Sequence, residues 1–401
     1  MPKKPSSGPP APPAPGPSTL SVHGGEPRLR PGRSLTAPLI QSSTYPFEHT
    51  AELIGHMEGR IDRPPEYGRY GNPTVADAEA RLAALEGAEA ALLAPSGMSA
   101  ITTSLLAMLR AGQHLVLTSD VYRKTRVFAG QVLQRYGVEV SVVEPELDAV
   151  RAALRPNTRV VLTELPTNPY LRVVDLAALA EAAHGVRAKV LVDATFATPL
   201  NLRPLEHGAD LVLHSTTKYL GGHNDHMGGV AVGAAPLIDA IRELAGTLGP
   251  VAAPQEAWLL LRGLKTLGLR MQRHNESALR LARRLEAHPQ VRQVWYPLLE
   301  SHPDYAVASR LLKGGGGVIS FELAGGLAAG TRLVDAVQLP RLAPSLGGVE
   351  SLIEQPALMS FFELGPEGRA AIGIREGLVR YSVGIEDVED LERDLVEGLE
   401  G

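Results

Sequence analysis

Lys218 stands in a setting that favours covalent chemistry. In Asp210-Leu-Val-Leu-His-Ser-Thr-Thr-Lys-Tyr-Leu-Gly-Gly222 an apolar run over 211–213 turns polar at His214 and continues through Ser215, Thr216 and Thr217 to the lysine. The run reads as a buried strand. A lysine drawn out of water at a strand end loses its proton readily and becomes a nucleophilic amine. Ser215 and Thr217, three and one residues before it, offer hydroxyls that can hold a phosphate. An isolated Thr-Lys pair suits a polar surface loop equally well, so the reading depends on what else the chain brings to the same place.

Other polar groups recur where apolar runs end. Runs over 115–117, 160–162 and 190–192 join 211–213 as strand cores, with amphipathic stretches such as 176–184 between them. This alternation over 91–233 predicts a doubly wound α/β layer with a mostly parallel sheet. Ligands of such sheets sit outside the carboxyl ends of the strands. Those ends carry Asp120 and Tyr122, Glu164 and Asn168, Asp193 and Thr195, and Ser215 and Lys218.

Pyridoxal phosphate asks for this set of groups. A lysine carries it, a carboxylate keeps its ring nitrogen protonated, and an aromatic ring stacks on it. Its phosphate needs N–H groups at a helix start, with hydroxyls or an arginine. Asp193 ends an apolar strand, Tyr122 follows one, and Pro95-Ser-Gly-Met-Ser99 precedes a helical pattern over 100–109. Taken singly, Asp193 is as well read as a cap, Ser96-Gly97 as a turn and Tyr122 as core. Jointly, on one edge of one sheet, they point to the cofactor.

Composition narrows the class. The chain has 401 residues, 44% of them hydrophobic, enough for two or three domains. Lys plus Arg number 39 against 44 Asp plus Glu, a net charge of −5, so the broad basic field that attracts nucleic acid or an anionic membrane is lacking. Cysteine is absent, which excludes disulfides and thiolate chemistry and leads us to expect a cytoplasmic protein. No apolar run approaches the ~18 residues of a membrane helix, and no apolar segment follows Lys3 and Lys4 as a signal peptide requires. His214, His223, Asp225 and His226 match no ligand spacing, so no metal is expected.

The expected organisation is a disordered Pro/Ala-rich tail over 1–18, an extended arm over 19–74, a large domain over 75–260 and a smaller α+β domain over 261–401. The last contains strands at 318–323 and 378–383. A long helix leads into it from about Gln255, through Trp258 and Leu269, and the glycines at 314–317 read as a loop.

Five separated motifs carry a resemblance. Tyr67-Gly-Arg69 with Asn72-Pro-Thr74, Glu164-Leu-Pro-Thr-Asn-Pro169, Val192-Asp-Ala-Thr-Phe196, Ser215-Thr-Thr-Lys-Tyr219 and Ser345-Leu-Gly-Gly-Val-Glu-Ser351 resemble the Cys/Met-metabolism family of pyridoxal-phosphate enzymes, from about Leu20 to the end. Within it, Tyr122-Arg-Lys-Thr-Arg126, Thr195-Phe-Ala-Thr-Pro-Leu-Asn201, Gly221-Gly-His-Asn-Asp225, Ala343-Pro-Ser345 and Gln355-Pro-Ala-Leu-Met-Ser360 resemble the cystathionine γ-synthases, the plant-type enzymes in particular. Pro344 and Arg123-Lys124 depart from what many other members carry.

The resemblance implies a fold-type I transferase. Lys218 would carry the cofactor and shuttle protons, Asp193 would pair with the ring nitrogen, and Tyr122 would stack on the ring. Gly97, Met98, Ser215 and Thr217 would hold the phosphate, and Thr195 and Asn168 would also touch the cofactor. Tyr67 and Arg69 would reach the phosphate of a neighbouring subunit in a homotetramer of two dimers. Arg380 and Ser345 would bind the substrate carboxylate, with Glu164 as a further substrate contact. Independently of the resemblance, Lys124 stands two residues after Tyr122 and in an extended turn would point to the same side, towards the substrate's γ-substituent, with Arg123 and Arg126 adding positive charge there. The implied reaction replaces the γ-substituent of an activated homoserine by cysteine. The alternatives are γ-elimination on the same scaffold and a cofactor-carrying regulatory protein without turnover. A nicotinamide-dependent dehydrogenase is disfavoured because no G-x-G-x-x-G follows a strand.

Overall fold

Seven strands build the large sheet: β1 (Ala90–Ala94), β2 (His114–Thr118), β3 (Glu139–Val143), β4 (Thr158–Glu164), β5 (Lys189–Asp193), β6 (Leu211–Ser215) and β7 (Gly229–Gly233). Their order is β1-β7-β6-β5-β4-β2-β3. From β3 across to β6 neighbouring strands run parallel, while β7 lies antiparallel between β6 and β1. This computed structural model describes residues 15–61, 63 and 65–401.

Alternation divides the sheet's side chains between two apolar layers. Val116, Val161, Val190, Val192 and Val212 face one core, and Leu115, Leu117, Leu162, Leu191 and Leu213 face the other. Helices cover both faces, as a parallel sheet requires. The sequence reading finds the cores of β2, β4, β5 and β6 but not the remaining three strands. β3 lies at the sheet edge and is half-exposed, so its apolar signal is diluted. β7, Gly-Val-Ala-Val-Gly, is bounded by glycines that suit a loop equally well.

A second sheet has the order β10-β11-β12-β9-β8. Its strands are β8 (Val291–Trp295), β9 (Val318–Leu323), β10 (Arg341–Leu342), β11 (Leu352–Glu354) and β12 (Leu378–Ser382). Phe321, Tyr381, Ile353 and Val379 form its core with Leu281 and Leu285 of the preceding helix and Leu391 and Leu395 of the last one.

Three expectations change. The Pro/Ala-rich tail lies largely outside the described residues, and its last two, Pro17 and Ser18, already belong to the helix Pro17–His23. The arm is not wholly extended, since it also contains the helix Thr50–Met57. The single long helix is two, Pro254–Leu264 and Leu267–Glu286, broken at Lys265 and Thr266. Gly263 explains the break's position: a Cβ there would lie 2.2 Å from the Gly221 carbonyl oxygen. The first helix therefore presses its bare backbone onto the loop that follows Lys218 and cannot continue along the same path.

Candidate active site

The carboxyl ends of β2, β4, β5 and β6 lie side by side, because all four strands are parallel and adjacent in the sheet. Lys218 follows β6 in a turn and is largely sealed from water. Its Nζ donates to Ser345 Oγ at 2.6 Å. Burial, reinforced by the Arg380 guanidinium and opposed by the Glu354 carboxylate, brings its pKa down to about 8. At that value the amine is available as a base at mildly alkaline pH. Ser345 holds φ at +96°, a backbone state non-glycine residues seldom adopt and one typical of binding sites.

Ser345 leads to Arg380 on β12. Arg380 Nη2 donates to the Ser345 carbonyl at 3.0 Å, and Nη1 donates to Asn168 Oδ1 at 3.3 Å. Its Nε is buried without a hydrogen-bond partner among the described residues. A guanidinium with an unmet N–H in a sealed corner suits a planar acceptor such as a carboxylate.

Asp193 closes β5 and is buried. Thr195 donates to its Oδ1 from both the backbone N–H, at 3.1 Å, and the hydroxyl, at 2.5 Å. The same hydroxyl accepts the Ser215 N–H at 2.8 Å, so one threonine ties β5 to β6. Burial pushes the Asp193 carboxyl up, against the Thr195 hydrogen bonds and the His214 charge that pull it down. Both bonds fall on Oδ1, which leaves Oδ2 for a cationic partner such as a protonated ring nitrogen.

The helix Gly97–Met108 begins beside β6, and Ser96 Oγ caps it by accepting the Ser99 N–H at 3.0 Å. A Cβ on Gly97 would meet Ser215 Cβ at 2.8 Å. Only glycine brings this helix start so close to the serine. Free N–H groups at the positive end of a helix beside a hydroxyl form a phosphate cradle. Met98 borders it through its Sδ, 3.7 Å from Thr125 Oγ1. Thr217 is committed elsewhere: its hydroxyl accepts the Gly228 N–H at 3.0 Å and donates to the Gly228 carbonyl at 3.3 Å. These residues fit pyridoxal phosphate: a buried amine of lowered pKa, a buried carboxylate short of a positive partner, and a cradle that a side chain would fill.

Glu164 takes a different place from the one expected. It is sealed at the end of β4 and accepts the Tyr122 N–H on Oε2 at 2.9 Å. Its contact is thus with the Tyr122 backbone rather than with an incoming substrate. Burial first, then the charges of Asp193 and Asp120, push its carboxyl well above the usual range. The Tyr122 ring is 48% exposed, open to a planar ligand on the same edge.

Tyr122 caps the helix Arg123–Phe128, so the segment is not an extended turn. Lys124 therefore does not share Tyr122's side by alternation. It is exposed. Arg126, one turn on from Tyr122, shares its face. The Arg126 side chain makes no hydrogen bond or ion pair among the described residues, and with Asp120 and Asn168 it lines a cavity of about 580 Å³. Sequence reasoning missed it as a lining residue of its own and counted it only as charge beside Lys124, although the i, i+4 spacing to Tyr122 was the signal. It also missed Glu354, an acidic residue inside the apolar strand β11.

Tyr67 and Arg69 do not join this cluster within one chain. Tyr67 is exposed, and Arg69 Nη1 donates to the Gly246 carbonyl at 2.9 Å. The histidines near Lys218 also diverge. His214 Nε2 lies 2.5 Å from Glu86 Oε1, and His226 bridges Thr216 and Glu256 at 2.8 Å each. Among the described residues no group of three or more His, Cys, Asp or Glu is placed to hold a metal ion. None of their helices is long and apolar enough to cross a membrane.

Comparison with known proteins bears on this geometry. The profile described as Cys/Met metabolism PLP-dependent enzyme matches residues 18–400. Cystathionine gamma-synthase 1, chloroplastic, from Nicotiana tabacum is 46% identical over 387 residues, 95% of this chain and 71% of the relative. L-methionine gamma-lyase from Fusobacterium nucleatum subsp. polymorphum is 43% identical over 386 residues, 95% of this chain and 97% of the relative. Among solved structures, cystathionine gamma synthase from Xanthomonas oryzae pv. oryzae in complex with aminoacrylate and cysteine superposes with a TM-score of 0.90 at 39% identity, covering 96% of this chain and 98% of that one.

Proposed function

The chain belongs to the Cys/Met metabolism PLP-dependent enzymes, and on that premise we propose that it is a cystathionine γ-synthase, joining L-cysteine to an activated L-homoserine ester. The Cγ–O bond to the ester group breaks, the Cγ–S bond forms, and the thiol proton leaves with the displaced acid. The observation that carries this reading is the continuous set Lys218–Ser345–Arg380–Asn168 at 2.6, 3.0 and 3.3 Å, which sets a proton-carrying amine beside a carboxylate-binding fork.

Bound pyridoxal phosphate supplies an electron sink for charge that develops on the substrate's carbons. The chain's residues do the rest. Arg380, Asn168 and Ser345 fix the substrate's carboxylate, which orients the α C–H towards Lys218 Nζ. The Lys218 amine takes that proton and returns it further along the chain of carbons. Asp193 keeps the ring nitrogen protonated, and the helix start at Gly97 with Ser215 holds the phosphate. The Tyr122 ring covers one side of the site and limits water entry. Arg126, which lines the cavity beside Asn168, supplies positive charge for the ester's anionic group, phosphate or succinate.

Tyr67 and Arg69 complete the site of a neighbouring subunit in a homotetramer, which accounts for their exposure within one chain. We place the enzyme in the cytoplasm, on the absence of cysteine. The second reading is γ-elimination, favoured by the identity to the methionine γ-lyase. Purified protein with cysteine and phospho-, succinyl- or acetylhomoserine should form cystathionine from at least one ester. Release of 2-oxobutanoate from cystathionine, with no synthesis from any ester, would assign the lyase instead.

A further inference from the structure

The geometry points to Glu354 as a positioning residue that holds Arg380 in its pose and balances that arginine's charge at Lys218. Glu354 closes β11 and lies directly opposite Arg380 on β12 in the antiparallel register. Residues so paired are the closest contacts two strands make. Glu354 Oε1 is 2.9 Å from Arg380 Nη2, with the carboxylate 2% and the guanidinium 7% exposed. The pair is nevertheless misaligned for hydrogen bonding, and both Glu354 oxygens and Arg380 Nε lack partners among the described residues. Gln355, the next residue, is anchored at both ends: Nε2 donates to the Leu327 carbonyl at 2.9 Å, and Oε1 accepts from Thr331 Oγ1 at 3.0 Å.

A buried carboxylate with unmet acceptors is destabilising unless a charge compensates it. Here the compensation is shared. The charges that act on Lys218 are those of Arg380, which disfavours its ammonium, and Glu354, which favours it. Those that act on Glu354 are Arg380 and Lys218, both opposing the upward push of burial on its carboxyl. Glu354 makes no side-chain hydrogen bond to Lys218 or Ser345 among the described residues, yet it pairs with the arginine that bonds the Ser345 carbonyl and sets how strongly that arginine drives the proton off Lys218.

The inference rests on Lys218 being the reacting amine, and the test separates the two claims. The full-length chain, stripped of cofactor, is treated with formaldehyde and cyanoborohydride across a pH series, and modification of Lys218 is followed by peptide mapping. The midpoint should fall near the value of about 8 in the native chain. Glu354→Gln leaves Arg380 unopposed and should lower the midpoint by roughly half a unit to one unit, with Glu354→Asp restoring part of the shift. Arg380→Gln should raise it. Glu354→Gln/Arg380→Gln should return it close to the native value, and this double variant also avoids leaving a lone buried charge if the single one fails to fold. A midpoint unmoved in Glu354→Gln, or an equal drop in Glu354→Gln and Glu354→Asp, would overturn the role of Glu354. A Lys218 that resists modification at every pH would instead undo the reading of Lys218 itself.

Discussion

The edge of the large sheet and the arm before it carry motif residues of equal prominence in the sequence, yet within one chain only the first set is drawn together. At the edge, Asp193, Thr195 and Ser215 are bonded in series, and Lys218, Ser345, Arg380 and Asn168 form a second series. In the arm, Arg69 lies over the exposed rings of Tyr67 and Tyr70 at 5.5 and 5.0 Å, and Leu29, Leu35, Ile54 and Met57 of the same segment are exposed. Groups that satisfy one another inside a chain define a site that the chain builds alone. Aromatic and apolar groups left outward suit a second surface. The contrast teaches that a chain can draw part of its motif set into one bonded cluster and leave the rest outward; on the proposed reading the outward part serves a neighbour's site.

The strongest way to test the first half is Lys218→Ala. Turnover should fall by at least about 10⁴-fold with the circular dichroism spectrum unchanged, since the side chain belongs to none of the apolar cores. Borohydride reduction of the native holoenzyme should leave its label on Lys218; a label on Lys265 or Lys313 would reassign the amine. Asp193→Ala follows, with an expected loss of roughly 10²–10³-fold and weakened cofactor retention, read from absorbance after gel filtration. Near-native turnover would make the carboxylate structural.

The second half is sharpened by Arg69→Ala. A partner-facing role predicts a loss of about ten- to a hundredfold, and more tellingly a recovery in mixtures. Arg69→Ala and Lys218→Ala chains, exchanged into common oligomers, should regain activity because one hybrid site receives both intact contributions. No recovery despite demonstrated exchange would place Tyr67 and Arg69 in their own chain's fold only.

The smallest expected effect concerns the ester. Arg126→Ala should lower kcat/KM for phospho- and succinylhomoserine by about tenfold and leave acetylhomoserine nearly unchanged, because the cavity it lines would receive the leaving group. Lys124→Ala, at an exposed position outside that lining, should change none of the three by more than about twofold. An equal drop for all three esters in Arg126→Ala would remove this cation from substrate reading.

Much of the edge was legible because parallel strands impose their own logic. Asp193 and Lys218 follow apolar runs, and the parallel course of those strands brings their carboxyl ends to one edge. Glu164 was found but misplaced: sequence shows that a strand ends in a carboxylate, not whether a neighbouring N–H will claim it. Lys124 was misjudged for a related reason, since the turn after Tyr122 closes into a helix whose period is 3.6 rather than 2. Glu354 stayed hidden because its meaning depends on the antiparallel register of β11 and β12, which no local pattern encodes. The division of the long helix was equally hidden, as it follows from the approach of Gly263 to a loop over 40 residues earlier.

One side chain links these regions. Arg270, buried in the helix that leads to the second sheet, donates to the carbonyls of Tyr219 at 2.6 Å and Gly263 at 2.9 Å. The Tyr219 hydroxyl in turn accepts the Gly317 N–H at 2.9 Å, at the entrance to β9. The loop bearing Lys218 is thus shared property of both layers, and neither can melt while the other keeps its hydrogen bonds whole. Unfolding should accordingly be all-or-none across the two sheets, one calorimetric transition instead of two; two separated transitions would contradict it. Loss of the reactive lysine's setting and loss of the fold then become a single thermal event.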